Sequence, residues 1–328
     1  MIAAITGATG FIGSHLADAL LERGFTVRAL VRKTSNLRWL EGKNIERVEG
    51  SLSDAESLSR LVEGADYVFH LAGLVKAKTE DEYFKANQGA TRTLLECCEK
   101  HAPSLKRFLY LSSMTAGGPS PSLESPVNEE HPGQPITTYG RSKLAGEKEV
   151  RSFSGKIPWT ILRPPAVYGP RDTEIYLYFK TVAGGLNGVI GFDDKRLSLI
   201  YYKDLVEGII QAAQSEKAVD QMYYVGDDEF YSWPRIANIC ADVFGKKHLT
   251  LRIPHFLLFT IAGIAQFIAG IAGKAATFNL EKARDFSQRY WTCDSSKARD
   301  DFGYKQITTL EDGLRESIEW YKEQGWLK

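Results

Sequence analysis

The first thirteen residues constrain this chain most. An apolar run, Ile2–Ile5, leads through Thr6 into glycines at positions 7, 10 and 13, and a helical pattern runs from Ser14 to Arg23 and ends near Gly24. A Gly-x-x-Gly-x-x-Gly turn between the first strand and the first helix lets backbone N–H groups approach a pyrophosphate, and the helix N-terminus adds favourable electrostatics. A glycine triplet alone says little; its place at the first strand–helix turn predicts a dinucleotide site built from Gly7, Thr9, Gly10, Phe11, Ile12 and Gly13.

The pattern that follows fits. Predicted strands at Thr26–Val31, Tyr67–Leu71, Arg107–Ser112 and Trp159–Leu162 alternate with helices at Asp54–Val62, Asn87–His101 and Thr138–Ser152. Such alternation predicts an α/β fold, a Rossmann-type doubly wound parallel sheet covered on both faces. A length of 328 residues exceeds what one core usually holds, so a smaller C-terminal substrate-binding domain is expected. Residues 1–170 read as the nucleotide-binding part, with 197–228 returning to it. Residues 171–196 and 229–328 read as the substrate-binding part. Leu197–Tyr201 is strand-like and Asp204–Gln214 helix-like. Thr309–Trp320 is an amphipathic helix that opens on a Thr309-x-x-Asp312 capping signal. Gly117–Pro135, rich in Pro, Gly, Ser and Glu, reads as a long surface loop at the site mouth.

Charge excludes several classes. Lys plus Arg equals Asp plus Glu at 41 each, which leaves no basic field for nucleic acid. The cysteines at 97, 98, 240 and 293 form no C-x-x-C pair and no disulfide framework, which fits a reducing cytosol. Cys97 and Cys98 read as a surface and core neighbour pair. No basic start precedes an apolar run at the N-terminus, so no cleaved signal is expected and the chain reads as cytoplasmic. The 19-residue stretch 255–273 carries no charged side chain. A buried helix is the leading reading; a helix lying on a bilayer and a true span are the others. A span is disfavoured because the flanking charges, Arg252 and Lys274, sit one at each end.

The end of the second strand reports on the nucleotide. An Asp or Glu there bonds the ribose hydroxyls of NAD; this chain has Arg32 and Lys33 instead. An Arg there suits a 2′-phosphate, so NADP(H) is favoured, with Arg32 first, and NAD(H) is the alternative.

Tyr139 and Lys143 stand at i and i+4, on one face of a predicted helix. A free tyrosine, with a pKa of about 10, is too weakly acidic to act as a base at neutral pH, and a nearby ammonium would favour its phenolate. Tyr139 could then exchange a proton with a substrate oxygen while hydride moves. Lys143 could also bond the nicotinamide ribose. The strand Arg107–Ser112 delivers Ser113 to the sheet end where ligands bind, and Ser113 could hold the substrate oxygen. The bland reading of Ser113 is a turn cap.

These pieces together resemble the extended short-chain dehydrogenase/reductase family, within the NAD-dependent epimerase/dehydratase superfamily. The matching residues, in family order, are Thr6–Gly13, His70–Gly73, Asn87 in Asn-x-x-Ala-Thr, Leu111–Ser113, Tyr139–Lys143, Arg163–Pro170, Leu199–Leu205 and the tail from Asp294 to Tyr304. The resemblance implies a catalytic triad of Ser113, Tyr139 and Lys143. It implies that Leu71, Ala72 and Gly73 lie beside the cofactor, with Tyr139 and Lys143 touching it, Pro164 and Val167 near its amide, and Asn87 on the helix behind. It also implies a homodimer formed through Asn87–His101 and Thr138–Ser152. Where the family often has Gly-Asp-Leu against the adenine, this chain has Gly50-Ser51-Leu52, which leaves Leu52 without an acidic neighbour for that contact.

Three reaction types occur in such a family. Dehydratases need an acid pair after the catalytic hydroxyl, and Met114-Thr115 stands there instead. Residues 28–40 resemble the dihydroflavonol-reductase and 3β-hydroxysteroid-dehydrogenase-like branch, and also sugar epimerases of hopanoid gene clusters. A basic second-strand end suits exchangeable NADPH. The apolar run around Phe256, Phe259 and Phe267, with Trp233, suits an apolar small-molecule substrate. The expected function is therefore an NAD(P)(H)-dependent oxidoreductase acting on a secondary alcohol or ketone. A nucleotide-sugar 4-epimerase with tightly held NAD, and a non-catalytic cofactor-binding regulator, are the alternatives.

Overall fold

A computed structural model describes residues 1–273, 275–276 and 278–327. Seven strands form one sheet: β1 (Ile2–Thr6), β2 (Thr26–Val31), β3 (Ile45–Glu49), β4 (Tyr67–His70), β5 (Arg107–Leu111), β6 (Trp159–Arg163) and β7 (Gln221–Tyr224). Their order is β7-β6-β5-β4-β1-β2-β3, and every pairing is parallel. The chain runs outward from β1 to β3 and then returns to place β4 on the other side of β1. That reversal opens a crevice at the C-terminal ends of β1 and β4, where ligands bind in open α/β sheets.

The strands are apolar on both sides because both sides are covered. Along β1, Ala3 and Ile5 face one core while Ala4 faces the other, the two-residue period of a strand. Helices α1 (Phe11–Glu22) and, later in the chain, α5 (Tyr202–Gln214) cover the first face through Leu16, Leu20, Leu205 and Ile209. Helices α2 (Ala55–Val62), α3 (Ala90–His101) and α4 (Thr138–Arg151) cover the second through Leu58, Leu94 and Val150. This is the Rossmann-type α/β fold that the alternating pattern predicts.

A third cluster, around Tyr168, Phe179, Leu199, Ile236, Leu314 and Tyr321, builds the added lobe beside the sheet. Its last helix, Leu310–Glu323, is capped by Thr309 Oγ1 accepting from Asp312 N at 3.1 Å. The helix Ser296–Phe302 packs Ala298 and Phe302 into the first nucleotide-domain core instead, although it lies in the late part of the chain.

Three sequence readings are corrected. Cys97 is buried, as Cys98 is, because α3 is covered by α2 along that side. The loop 117–135 is not wholly superficial: Gly117, Gly118, Ser120 and Val127 are buried, pinned by Ser120 Oγ against Thr292 Oγ1 and by the bridge from Val127 to Cys293. The third concerns 255–273. It forms helix α6 (His255–Ile271), but among its residues only Leu258 and Ala262 are buried. It rests on α7 (Leu280–Ser287) through a narrow stripe of small and apolar contacts, so the rest of its apolar surface faces outward. It is not the buried helix the run of apolar residues suggests. Among the described residues, no helix is long and apolar enough to cross a membrane; Lys274, one of the two flanking charges, lies outside them.

Candidate active site

The glycine turn has the close backbone packing that a bound dinucleotide requires. Gly7 has φ +82°, and a Cβ there would stand 2.8 Å from Ala72 N. A Cβ on Gly13 would stand 2.2 Å from Gly7 O, so α1 approaches the turn more closely than any side chain allows. Gly10, exposed, is the N-cap of α1 and closes the turn through N–H donation to Gly7 O at 3.0 Å. Thr9, Phe11 and Ile12 are partly buried around it. Thr6 Oγ1 accepts from Ala72 N at 3.3 Å and Thr6 O accepts from Leu71 N, which lays Leu71–Gly73 alongside the turn. The strand-to-helix turn that this packing fixes, at the N-terminus of α1, fits a dinucleotide pyrophosphate. His70, one residue back, is fully buried with both ring nitrogens bonded, to the Thr6 and Thr91 hydroxyls; burial pushes its pKa down to about 3 and keeps it neutral.

Two further strands bring in the other groups. β5 ends at Leu111, and Ser113 caps the short 3-10 turn Met114–Ala116, accepting from Thr115 N at 3.2 Å and from the Thr115 hydroxyl at 2.9 Å. The capping reading of Ser113 therefore holds alongside any catalytic one. Tyr139 sits in the first turn of α4, partly buried, with the Tyr83 ring 6.4 Å away. Lys143, one turn on, is buried; its Nζ donates to Leu111 O at 2.7 Å and lies 4.2 Å above the Tyr110 ring. Ser113, Tyr139 and Lys143 thus converge at the C-terminal edge of β5.

The electrostatics differ from the simple expectation. Burial pushes Tyr139 up to about 12, with partial relief from the Ser113 hydroxyl, and burial pushes Lys143 down to about 7. Without ligand, the desolvation of Lys143 weakens the ammonium field that a phenolate would need. The protein at rest therefore holds Tyr139 as the neutral phenol, a proton donor ready for a substrate oxygen.

Of three further groups, the sequence reading missed Glu147 and Asp285 and named Asn87 only by resemblance. Glu147, buried one turn below Lys143, takes a bidentate bond from Arg163 (Nε to Oε1 2.8 Å, Nη2 to Oε2 2.6 Å) and one from Ser112 Oγ at 2.5 Å. Arg163 Nη1 completes the network on the Tyr224 hydroxyl at 2.8 Å. The i, i+4 spacing from Lys143 to Glu147 was the available signal. Asn87, cited only by resemblance, lies in a π-helical turn, Lys85–Gly89, of the kind that marks functional sites. Its Oδ1 accepts from Leu74 N at 2.8 Å, and its Nδ2 donates to Leu74 O and to Ser142 Oγ, which rivets the loop after Gly73 to the helix of Tyr139.

The third is Asp285 on α7. Glu281 of that helix accepts from Thr138 N at 2.8 Å and from the Thr138 hydroxyl at 2.7 Å. Asp285 lies one turn further on the same face, where its charge raises the Tyr139 pKa, and its Oδ1 is buried without a hydrogen-bond partner among the described residues. Burial pushes this carboxyl up to about 7. A folded-state pKa raised above the ordinary 3.8 means that stability is full below that value and declines as pH rises from about 4 to about 7. Asp285→Asn is accordingly expected to match the parent's melting temperature near pH 4 and to exceed it at pH 8; equal values at both would contradict this.

The remaining expected contacts are placed as follows. Arg32 is exposed just beyond β2 and makes no salt bridge among the described residues, while Lys33 pairs with Glu49 at 3.5 Å. Leu52 is partly buried against the second core. Pro164 is buried and its carbonyl accepts from Met114 N at 2.8 Å, which ties the strand after β6 to the Ser113 turn; Val167 is partly buried nearby in sequence.

The class of protein follows from this fold and is shown by comparison. The chain belongs to the NAD dependent epimerase/dehydratase family, whose model matches residues 3–226, and it is an enzyme of that NAD(P)-dependent superfamily. It is similar to the ceramide reductase of Caulobacter vibrioides, 30% identical over 327 residues that cover 99% of this chain and 96% of that protein. It is also similar to sterol demethylase protein B of Methylococcus capsulatus, 28% identical over 338 residues that cover all of both. Among solved structures, the crystal structure of gox2253 matches with a TM-score of 0.83 at 26% identity, covering 100% of this chain and 99% of that one.

Proposed function

We propose that this protein is an NADP(H)-dependent reductase or dehydrogenase that interconverts a ketone and a secondary alcohol on an apolar substrate. The observation that carries the reading is the meeting of Ser113, Tyr139 and Lys143 at the β5 edge, next to the glycine turn. When bound, the nicotinamide supplies or accepts the hydride. The chain's own residues handle the proton and the geometry. Tyr139, held neutral, donates its hydroxyl proton to the substrate oxygen as negative charge develops there, and takes it back in the oxidative direction. Ser113 has a hydroxyl hydrogen free to donate to the same oxygen, because its own Oγ serves as acceptor for Thr115. Lys143, with a pKa near 7, gains charge where an anion is brought beside it, and that charge favours the deprotonated tyrosine.

The nucleotide preference rests on Arg32, a cation left without an acidic partner where a 2′-phosphate is read in such folds. Arg32→Ala is expected to weaken NADPH by about ten- to a hundredfold, the value of a charge-assisted bond, and NADH little. Equal losses for both in parallel fluorescence titrations would show that Arg32 does not read the phosphate. The apolar substrate class is supported by the relatives named for reducing a ceramide and for demethylating a sterol.

The direct test is consumption of NADPH by long-chain and polycyclic ketones, compared with interconversion of nucleotide sugars. NADPH oxidation with the ketones supports the proposal. Sugar epimerisation without net cofactor consumption would replace it with the epimerase reading, which the family description also covers.

A further inference from the structure

We infer that the outer face of helix α6 is a docking surface for an anionic phospholipid bilayer. The helix has 17 residues, about 25 Å in length at 1.5 Å per residue. Phe256, Leu257, Ile261, Ile264, Phe267, Ile268 and Ile271 are exposed along it, Phe256, Phe267 and Ile271 each by 70% or more. One stripe, Leu258 and Ala262 with Phe259 partly buried beside it, packs against α7 and against Ile190 and Ile253; the exposed apolar residues on the opposite side join no apolar cluster among the described residues. Contiguous exposed apolar surface of this kind marks an interaction site.

Two observations select lipid as the occupant. The first is charge. The chain as a whole is neutral, yet in sequence between Asp242 and Glu281 there is no acidic residue and there are four basic ones, Lys246, Lys247, Arg252 and Lys274; the acidic side chain brought near the helix from elsewhere is Asp193, beside His255 at its first residue. Lys246, Lys247 and Arg252 are exposed. Basic residues flanking an apolar helix face are attracted to anionic headgroups while the face enters the acyl boundary. The second is the lack of directional polar groups. Protein interfaces carry about one hydrogen bond per 100–200 Å². On α6 the Thr260 hydroxyl is already bonded to Phe256 O at 2.8 Å, and Gln266 Oε1 already accepts from Leu280 N at 3.1 Å. The face offers hydrocarbon and nothing that would fix the register of a second protein chain.

The surface is one helix away from the chemistry. α6 rests on α7, and α7 grips Thr138, the residue before Tyr139, through Glu281. Docking would hold the α7 side of the active site near the bilayer. This inference is independent of the substrate proposed above, since binding is read without turnover.

The test is sedimentation of the full chain with extruded vesicles, either phosphatidylglycerol and phosphatidylcholine in equal parts or phosphatidylcholine alone. Wild type is expected to sediment with the anionic vesicles, and less so as salt rises. Phe267→Glu and Ile271→Glu, both at exposed positions, are each expected to weaken partitioning by about tenfold or more with thermal melts unchanged. Lys246→Glu/Lys247→Glu is expected to weaken binding to the anionic vesicles while leaving any binding to neutral ones. Wild type remaining in the supernatant with both vesicle types, or Phe267→Glu/Ile271→Glu binding as wild type does, would overturn the inference. A stable dimer that Phe267→Glu splits, with vesicles ignored, would also overturn it and assign the face to a second copy of the chain.

Discussion

Replacing Tyr139 by phenylalanine is expected to lower kcat by about 10²–10⁴-fold, the range for removing a positioned acid or base. The ring is kept, so its packing beside Tyr83 is kept. What is lost is the hydroxyl, the proton donor that the Ser113 turn and the first turn of α4 bring to one place. Cofactor binding should survive. The close backbone packing at Gly7 and Gly13 is made with backbone atoms of Leu71, Ala72, Gly7 and Ala8 and not with the Tyr139 hydroxyl. Steady-state kinetics and a parallel cofactor titration separate the two effects. Full turnover in Tyr139→Phe would refute the mechanism; loss of cofactor binding together with activity would show that the residue acts through structure.

The largest stability effect is expected at Glu147. Glu147 and Arg163 are both almost wholly buried, at 1% and 2% exposure, and form a bidentate pair inside the sheet–helix interface. Glu147→Leu leaves a guanidinium in the core with only the Tyr224 hydroxyl for company and strands the Ser112 hydroxyl. Breaking a buried pair from one side costs about 3–5 kcal/mol. Urea denaturation measures it, and a loss under about 1 kcal/mol would contradict the account. Removing both charges, as in Glu147→Leu/Arg163→Met, should recover much of the loss, because no buried charge is then left unpaired. The pair also bears on the chemistry. Glu147 is the group that holds the Lys143 pKa up against burial, so Glu147→Leu should shift Lys143 further toward the neutral amine.

Much of this site was legible in the sequence because its elements are local. The glycine turn, the strand that ends at Ser113 and the Tyr139–Lys143 helix each carry their signal within about one strand or helix length. The predicted strand Thr26–Val31 has the same bounds in the structure. Long-range features were not legible. β3 escaped notice because Ile45–Glu49 carries charges at Glu46, Arg47 and Glu49, as an edge strand does when only part of it is covered. Asp285 gave no signal, since its place near the site depends on α7 packing against the start of α4 from the far end of the chain, through Glu281 and Thr138. α6 misled because hydrophobicity reports what a segment would gain by burial, whereas among the described residues the fold covers a single narrow side of it. The Tyr139 pKa misled for a related reason: the i, i+4 spacing to Lys143 is visible in sequence, but the burial that outweighs it is not.

The central claim, an exchangeable NADP(H)-dependent oxidoreductase, is tested most directly by parallel titration of the purified chain with NADPH and NADH, following cofactor fluorescence after a check for cofactor carried through purification. The account predicts a cofactor-free protein that binds NADPH more tightly than NADH and releases it on dilution. Tightly retained NAD that neither dilutes out nor exchanges with NADPH would contradict it.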